Sequence, residues 1–299
     1  MARARLAVIT DSHLCSPDTP YGHWNDRLLL PESWALWREA VDAVAGSDAE
    51  AVLLLGDLTN FAETGLLVRG LRELARAGRP IVAVAGNHDV GPSGDALAGA
   101  AATLASSKET GPPPTAPELT VPGLTVSPSP AFGGFHIAGV PIRADGQADG
   151  QGGHVLAGQV LDRLPGGLPL IVVSHYPVID IEPDLLAQRL KHPDHLGGLR
   201  PLRRQLDRHQ GPVIILHGHV HRHHAARRGH ILQLSMAPLI ENPHAVTLLT
   251  LREDPAGLSA ERETVPLRAA PKTSRAPEHW MYQNGRWALT TSPAKRFPP

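Results

Sequence analysis

The stretch VLLLGDLTN at 52–60 sets four apolar residues against Gly56, Asp57 and a short polar turn, and IVAVAGNHD at 81–89 repeats the arrangement with Gly86, Asn87, His88 and Asp89. Apolar runs of this length, rich in Val, Ile and Leu and stopped by glycine, are strands of a largely buried sheet. Polar groups just past them stand at the carboxyl edge of that sheet, where the loops of open α/β folds converge and ligands bind. Three further predicted strands end the same way. LAVIT (6–10) is followed by Asp11 and His13, LPLIVVSH (168–175) ends in His175, and PVIILHGH (212–219) leads into HGHVHRHH at 217–224, with His219 and His221. Side chains two apart in an extended segment point the same way, so Asp11 with His13, and His219 with His221, are each spaced to grip one ion. Glycines 56, 86 and 218 permit close backbone approach and unusual dihedrals at these ends. Imidazole, carboxylate and amide oxygen together suit manganese, iron or zinc rather than an all-oxygen calcium cage, and Asp57 has two oxygens with which to bridge a pair of ions.

Between these strands the chain reads as helix. PESWALWREAVDAV (31–44) puts Trp34, Trp37, Val41 and Val44 at helical spacing with Pro31 suited to the start, and the next helix presents Leu67, Leu71 and Leu74 before Gly78 and Pro80 end it. Residues 94–106 are an Ala-rich helix candidate. The pattern changes at GPPPTAPELTVPGLTVSPSPAFGG (111–134), a proline-rich connection with room for one short strand. FHIAGVPI (135–142) then reads as a strand, VLAGQVLDRL (155–164) as a helix, and a further helix falls around 199–209. ILQLS, AVTLLTL and LSAERETV are expected to be antiparallel strands closing a second sheet. One domain over 1–267 and a tail over 268–299 are expected; HWMYQNGRW within the tail is a candidate for docking on the body.

Charge and composition narrow the function classes. In 299 residues, 28 Lys+Arg against 29 Asp+Glu leave no basic field to attract nucleic acid or an anionic membrane. No stretch approaches the ~20 apolar residues of a membrane span, and the lone Cys15 fits a reducing compartment, so a cytoplasmic protein is expected. Aromatics are only 4% of the chain, so the core rests on Val, Leu, Ile and Ala, while histidine is abundant at 17 residues.

In order and type, D-S-H (11–13), G-D-L-T-N (56–60), G-N-H-D (86–89), S-H (174–175) and G-H-V-H (218–221) resemble the calcineurin-like metallophosphoesterases, over roughly residues 5–250. The resemblance implies an α/β fold: a two-sheet metallophosphoesterase β-sandwich flanked by α-helices, in four αββα layers. It also implies two divalent or mixed-valence transition-metal ions. Asp11, His13, Asp57 and His221 would hold one, and Asp57, Asn87, His175 and His219 the other. His88 would sit beside the scissile phosphate as general acid, with Asp89 supporting its orientation. Within the family the look of the chain is nearest to the bacterial branch related to cyclic-nucleotide phosphodiesterases.

Two ions lower the pKa of bound water and offset charge on phosphorus during in-line attack, and an unligated histidine is suited to protonate the leaving alkoxide. A small-molecule phosphodiester is the expected substrate. A phosphomonoesterase (nucleotidase or protein phosphatase) is the alternative, and a non-enzymatic metal-binding relative is disfavoured by the complete set of ligand positions. Each block alone has an ordinary reading, GDLTN for example as an Asx-capped turn, and only their order and strand-end placement point to a site. His217 is expected to flank the site, His223, His224 and His230 to lie on the surface, and Cys15 to be a buried inert thiol. Asn60 is a weaker candidate for touching substrate. Loop 15–27 is either one wall of the pocket, with His23 and Trp24 as candidates, or an ordinary surface loop. The 111–134 segment and the tail are candidates for capping the site or for a homodimer contact.

Overall fold

The apolar runs become the middle strands of two packed sheets. The computed structural model describes residues 2–91, 94–106, 119–120, 131–140, 168–189, 199–255, 257–268 and 275–290. The first sheet contains β1 (Ala2–Ile9), β4 (Ala51–Leu55), β5 (Ile81–Val84), β8 (Leu119–Thr120), β15 (Ala245–Asp254), β16 (Gly257–Pro266), β17 (Glu278–Gln283) and β18 (Arg286–Thr290), in the order β18-β17-β16-β15-β1-β4-β5-β8. The second contains β9 (Ala131–Phe132), β10 (Phe135–Gly139), β11 (Leu170–Ser174), β12 (Val213–His217), β13 (His224–Arg228) and β14 (Ile231–Ser235), in the order β13-β14-β12-β11-β10-β9. Two short ribbons, β2 (Gly22–His23) with β3 (Arg27–Leu28) and β6 (Val90–Gly91) with β7 (Gly94–Asp95), stand apart from them.

Side-chain alternation builds the layers. Along β4, Ala51, Leu53 and Leu55 face the second sheet, whereas Val52 and Leu54 pack under α1 (Ser33–Ala45) and α2 (Thr64–Ala75). Along β12, Ile214 and Leu216 enter the space between the sheets, whereas Val213 and Ile215 meet Leu202 and Leu206 of α5 (Arg200–Leu206). Both faces are covered, which is why these runs are continuously apolar; each leucine buried this way contributes about 1.5–3 kcal/mol. Helices therefore flank two stacked sheets, as the resemblance implied. The remaining α-helices among the described residues are α3 (Ala96–Ser106), within the expected 94–106, and the short α4 (Glu182–Ala187). Trp34, Trp37, Val41, Val44, Leu67, Leu71 and Leu74 are all buried on the predicted faces. The predicted helix 155–164 and most of 111–134 lie outside the described residues. No helix among the described residues is long and apolar enough to cross a membrane.

Two expectations need correcting. ILQLS is antiparallel on one side only: β14 is antiparallel to β13 but parallel to β12, because HAARR, too polar to read as a strand, forms β13 and runs back between them in sequence. AVTLLTL and LSAERETV are antiparallel but extend the first sheet beside β1. Within the segment set aside as a tail, β17 and β18 form a hairpin at the edge of the first sheet and bury Trp280 and Trp287 between the sheets. Its turn is Asn284-Gly285, both with positive φ (52° and 75°), as a two-residue hairpin requires.

A buried cation ties this hairpin to both sheets. Arg262 on β16 is 1% exposed and donates to Glu278 through Nε (3.0 Å) and Nη2, and through Nη1 to the carbonyls of His224 (3.0 Å) and Ser235 (2.8 Å). Burial raises the Glu278 pKa, but the His223 and Arg262 side chains outweigh it and hold the carboxyl down at about 2. Glu278→Gln leaves the guanidinium uncompensated and should cost about 3 kcal/mol at pH 7, the low end for a broken buried pair. A depressed folded pKa lends stability above the unfolded value and loses it on protonation, so the wild type's advantage should shrink as pH falls from about 4.5 toward 2. Urea unfolding at pH 7 and pH 3 checks both, and coincident curves at pH 7 would remove the pair's role.

Candidate metal centre

Level strand ends assemble the centre. Ile9 pairs with Leu54, and Leu55 with Val84, so Asp11, Asp57 and Asn87 emerge at one edge of the first sheet. Val173 pairs with Leu216 in the second sheet, which brings His175 and the 217–221 loop to the same end. Direct bonds join the two edges: His175 Nδ1 donates to the Leu55 carbonyl (2.9 Å), and the His219 amide donates to Asp11 Oδ1 (3.0 Å).

The ligand pairs do not use strand parity. Asp11, His13, Asp57, His219 and His221 all have left-handed backbone, with φ of 52°, 46°, 50°, 68° and 47°. Non-glycine residues seldom stay there, and such strain gathers at functional sites. Turns past the strand ends aim these side chains inward. The flanking glycines are sterically demanded. A Cβ on Gly86 would lie 2.1 Å from Asp57 Oδ1, one on Gly218 2.0 Å from Thr10 Oγ1, and one on Gly56 2.6 Å from His175 Nδ1.

Nine sequence-predicted residues meet here. Asp57 Oδ2 lies 3.6 Å from His13 Nε2 and 3.3 Å from His175 Nε2, and His175 Nε2 is 3.1 Å from Asn87 Oδ1. His221 Nε2 lies 3.5 Å from Asp11 Oδ1. Among the described residues, three triplets offer ligand atoms within 4.8 Å of one another: Asp11, His13 and His221; His13, Asp57 and His88; Asp11, Asp57 and His175. His219 is in none of these triplets, its ring centroid lying 5.1 Å from that of His175. His88 stacks edge-on against His13 at 4.7 Å, and its Nδ1 donates to the Asn60 carbonyl (2.9 Å).

Asp89 is nearby but not in the role expected of it. Its carboxylate accepts the amides of Gly86 (3.0 Å), Leu58 (3.1 Å) and Thr59 (2.9 Å) and so binds the GDLTN turn to GNHD. The Asn60 carbonyl, not Asp89, faces the His88 ring. Asn60 also serves His13, whose Nδ1 donates to its Oδ1 at 2.9 Å.

The donor set fits divalent cations. His13 Nε2 is a buried nitrogen with no hydrogen-bond partner, aimed at Asp57. Burial, with the neighbouring His88 and His221 rings, pushes its pKa down to about 4 against the pull of the carboxylates, so it is neutral and free to ligate. His175 and His221 are also desolvated, yet the carboxylates of Asp57 and Asp11 lift them to about 9 and 10. Protons held on buried imidazoles between buried carboxylates stand where cations would serve better.

Several participants escaped sequence reasoning. Thr10 Oγ1 donates to Asp11 Oδ2 (2.9 Å), and the fully buried Glu241 pairs with His221 Nδ1 (2.8 Å). An acid in the otherwise apolar MAPLIE is unusual, and was the available signal for Glu241. His217 is fully buried and bonded through Nδ1 to the Gly218 carbonyl. His223, His224 and His230, expected on the surface, are half-buried, and their rings meet Glu278, Asp184 and the Leu206 carbonyl. Cys15 is buried, its thiol donating to the Leu30 carbonyl at 3.3 Å. Trp24 borders the centre, its ring 6.0 Å from His221 and 6.4 Å from His219, whereas His23 is exposed.

Comparison with known proteins bears on the fold and the family. The chain is similar in structure to a dimetal phosphatase from Danio rerio, with 15% identity and a TM-score of 0.56 over 89% of this chain and 97% of that one. It is similar to TT1561 of Thermus thermophilus, with 13% identity and a TM-score of 0.55 over 83% of this chain and 94% of that one. A purple acid phosphatase from yellow lupin seeds, at 15% identity and a TM-score of 0.54, covers 88% of this chain with 52% of its own. At these identities the likeness is one of fold. No curated protein matches the sequence significantly. The sequence profile of calcineurin-like phosphoesterases matches residues 4–223, and the chain belongs to that family.

Proposed function

We propose that the chain hydrolyses small-molecule phosphodiesters, cyclic nucleotides being one example, in a reaction that depends on two metal ions. In this reading Asp11, His13, Asp57 and His221 hold one ion and Asp57, Asn87, His175 and His219 the other. Manganese, iron or zinc bound there would supply Lewis-acid charge neutralisation and a water acidic enough to ionise near neutral pH.

The chain's own groups do the rest. The Nδ1–H bond of His88 to the Asn60 carbonyl fixes the ring and directs Nε2 away from that carbonyl, free to give a proton to the leaving oxygen. The His88 amide donates to Asp57 Oδ1 (2.9 Å), so the acid and the shared ligand move as one unit. Trp24, on the 15–27 loop, forms a pocket wall.

One observation favours a diester. Among the described residues, Asp11 and Asp57 are met by imidazoles, a hydroxyl and backbone amides, while the adjacent Arg222 is turned onto Asp26 at 2.9 Å. A phosphomonoester dianion gains from an arginine clamp; a singly charged diester needs less. The test is paired turnover of bis(p-nitrophenyl) phosphate and p-nitrophenyl phosphate by chain reconstituted separately with manganese, iron and zinc. The diester should be favoured at least about tenfold in kcat/KM, roughly 1.4 kcal/mol. Faster monoester turnover with every metal would replace this reading with a phosphomonoesterase.

A further inference from the structure

Glu241 lies 20 residues beyond His221 and outside the 4–223 span of the family match, yet it is fully buried and faces the candidate ligand directly. Its Oε2 takes the Nδ1 proton of His221 at 2.8 Å, while His221 Nε2 points to Asp11 Oδ1 at 3.5 Å. Its Oε1 accepts the Asp26 amide. The backbone that presents it is fixed to the end of β1, since the Leu239 and Ile240 amides donate to the Thr10 and Asp11 carbonyls, each at 3.0 Å. Two more bonds join the 21–27 loop directly to the segment that carries His221: Asn25 Nδ2 to the Val220 carbonyl (3.4 Å) and Arg222 Nη1 to Asp26 Oδ2 (2.9 Å).

We propose that Glu241 is a positioning residue for one of the two ions, holding His221 in the Nδ1–H tautomer with Nε2 turned to Asp11 and clamping the 21–27 loop to the same ligand segment. This rests on the dinuclear reading above. A carboxylate behind a ligating imidazole fixes the ring's tautomer and orientation and raises its basicity, and losing such a partner typically weakens metal affinity about 10–100-fold. A carboxylate in a dry interior without these two donors would be costly, so its burial requires that both bonds persist.

Titration of metal-stripped full-length chain with Mn²⁺ by calorimetry tests this. Wild type should bind two ions, and Glu241→Gln should weaken one site about 10–100-fold while leaving the other near its wild-type affinity. In a His221→Ala background the same substitution should change affinity at most about twofold, because the path through His221 is gone. Equal Mn²⁺ binding by wild type and Glu241→Gln would overturn the positioning role alone; a wild type that binds no Mn²⁺, Fe²⁺ or Zn²⁺ would overturn the dinuclear reading with it. A measurement on the wild type does not depend on the variant folding. In Zn²⁺-loaded, ¹⁵N-histidine-labelled chain, His221 should carry its proton on Nδ1, and a proton on Nε2 would overturn the proposal.

Discussion

Asp57→Ala should release both ions at once. Asp57 belongs, like Asp11 and His13, to two of the three ligand triplets, and its Oδ2 lies 3.6 and 3.3 Å from the imidazoles of His13 and His175. In the proposed ligand assignment Asp57 serves both ions, so alanine takes a donor from each. Lewis-acid stabilisation by a bound metal is worth several kcal/mol, and each 1.36 kcal/mol is tenfold in rate, so hydrolysis should fall by about 10³-fold or more. Asp57→Asn separates charge from shape. It keeps an oxygen for the His88 amide and nearly the same volume, so the fold should survive, yet it lacks the negative charge that holds two cations. Elemental analysis should find close to no bound metal in the alanine variant and a clear loss in the asparagine one. Two ions still bound per chain in Asp57→Ala would end the bridging assignment.

The centre was legible in sequence wherever chemistry and local structure coincide. Asp57 and Asn87 follow strands that are apolar on both faces, and Gly56 and Gly86 are needed because side chains would collide with His175 and Asp57. What remained hidden depends on pairings distant along the chain. Glu241 reaches Asp26 across 215 residues, and Arg262 reaches the His224 carbonyl across 38. The family resemblance implied Asp89 as the support of His88, but three backbone amides compete for its carboxylate and win it. The parallel ladder of β14 to β12 was not legible because β13 contributes little apolar area and shows itself only through its antiparallel ladder to β14. By contrast, Asn284-Gly285 between alternating residues was a readable hairpin signal, obscured by the unpatterned stretch ahead of it.

His88→Ala should keep both ions and the fold while slowing hydrolysis, which separates catalysis from metal binding. The case for an acid is geometric. His88 Nδ1 is already committed to the Asn60 carbonyl at 2.9 Å, and the ring lies edge-on to His13, 4.7 Å away, at the half-buried rim of the cluster. Nε2 is therefore the nitrogen left for substrate, and the carbonyl behind the ring stabilises the imidazolium that must donate. His88 also shares a triplet with His13 and Asp57, so a ligand role is the competing outcome. Leaving groups distinguish the roles. General acid catalysis contributes about 10²–10⁴-fold, so esters with alkoxide leaving groups should lose that much activity in His88→Ala. A nitrophenolate needs little protonation and should depart almost as fast from the variant as from the wild type. An equal loss across both esters would reassign His88 to substrate positioning. Loss of one ion would make it a ligand, with His13 and Asp57 as its partners.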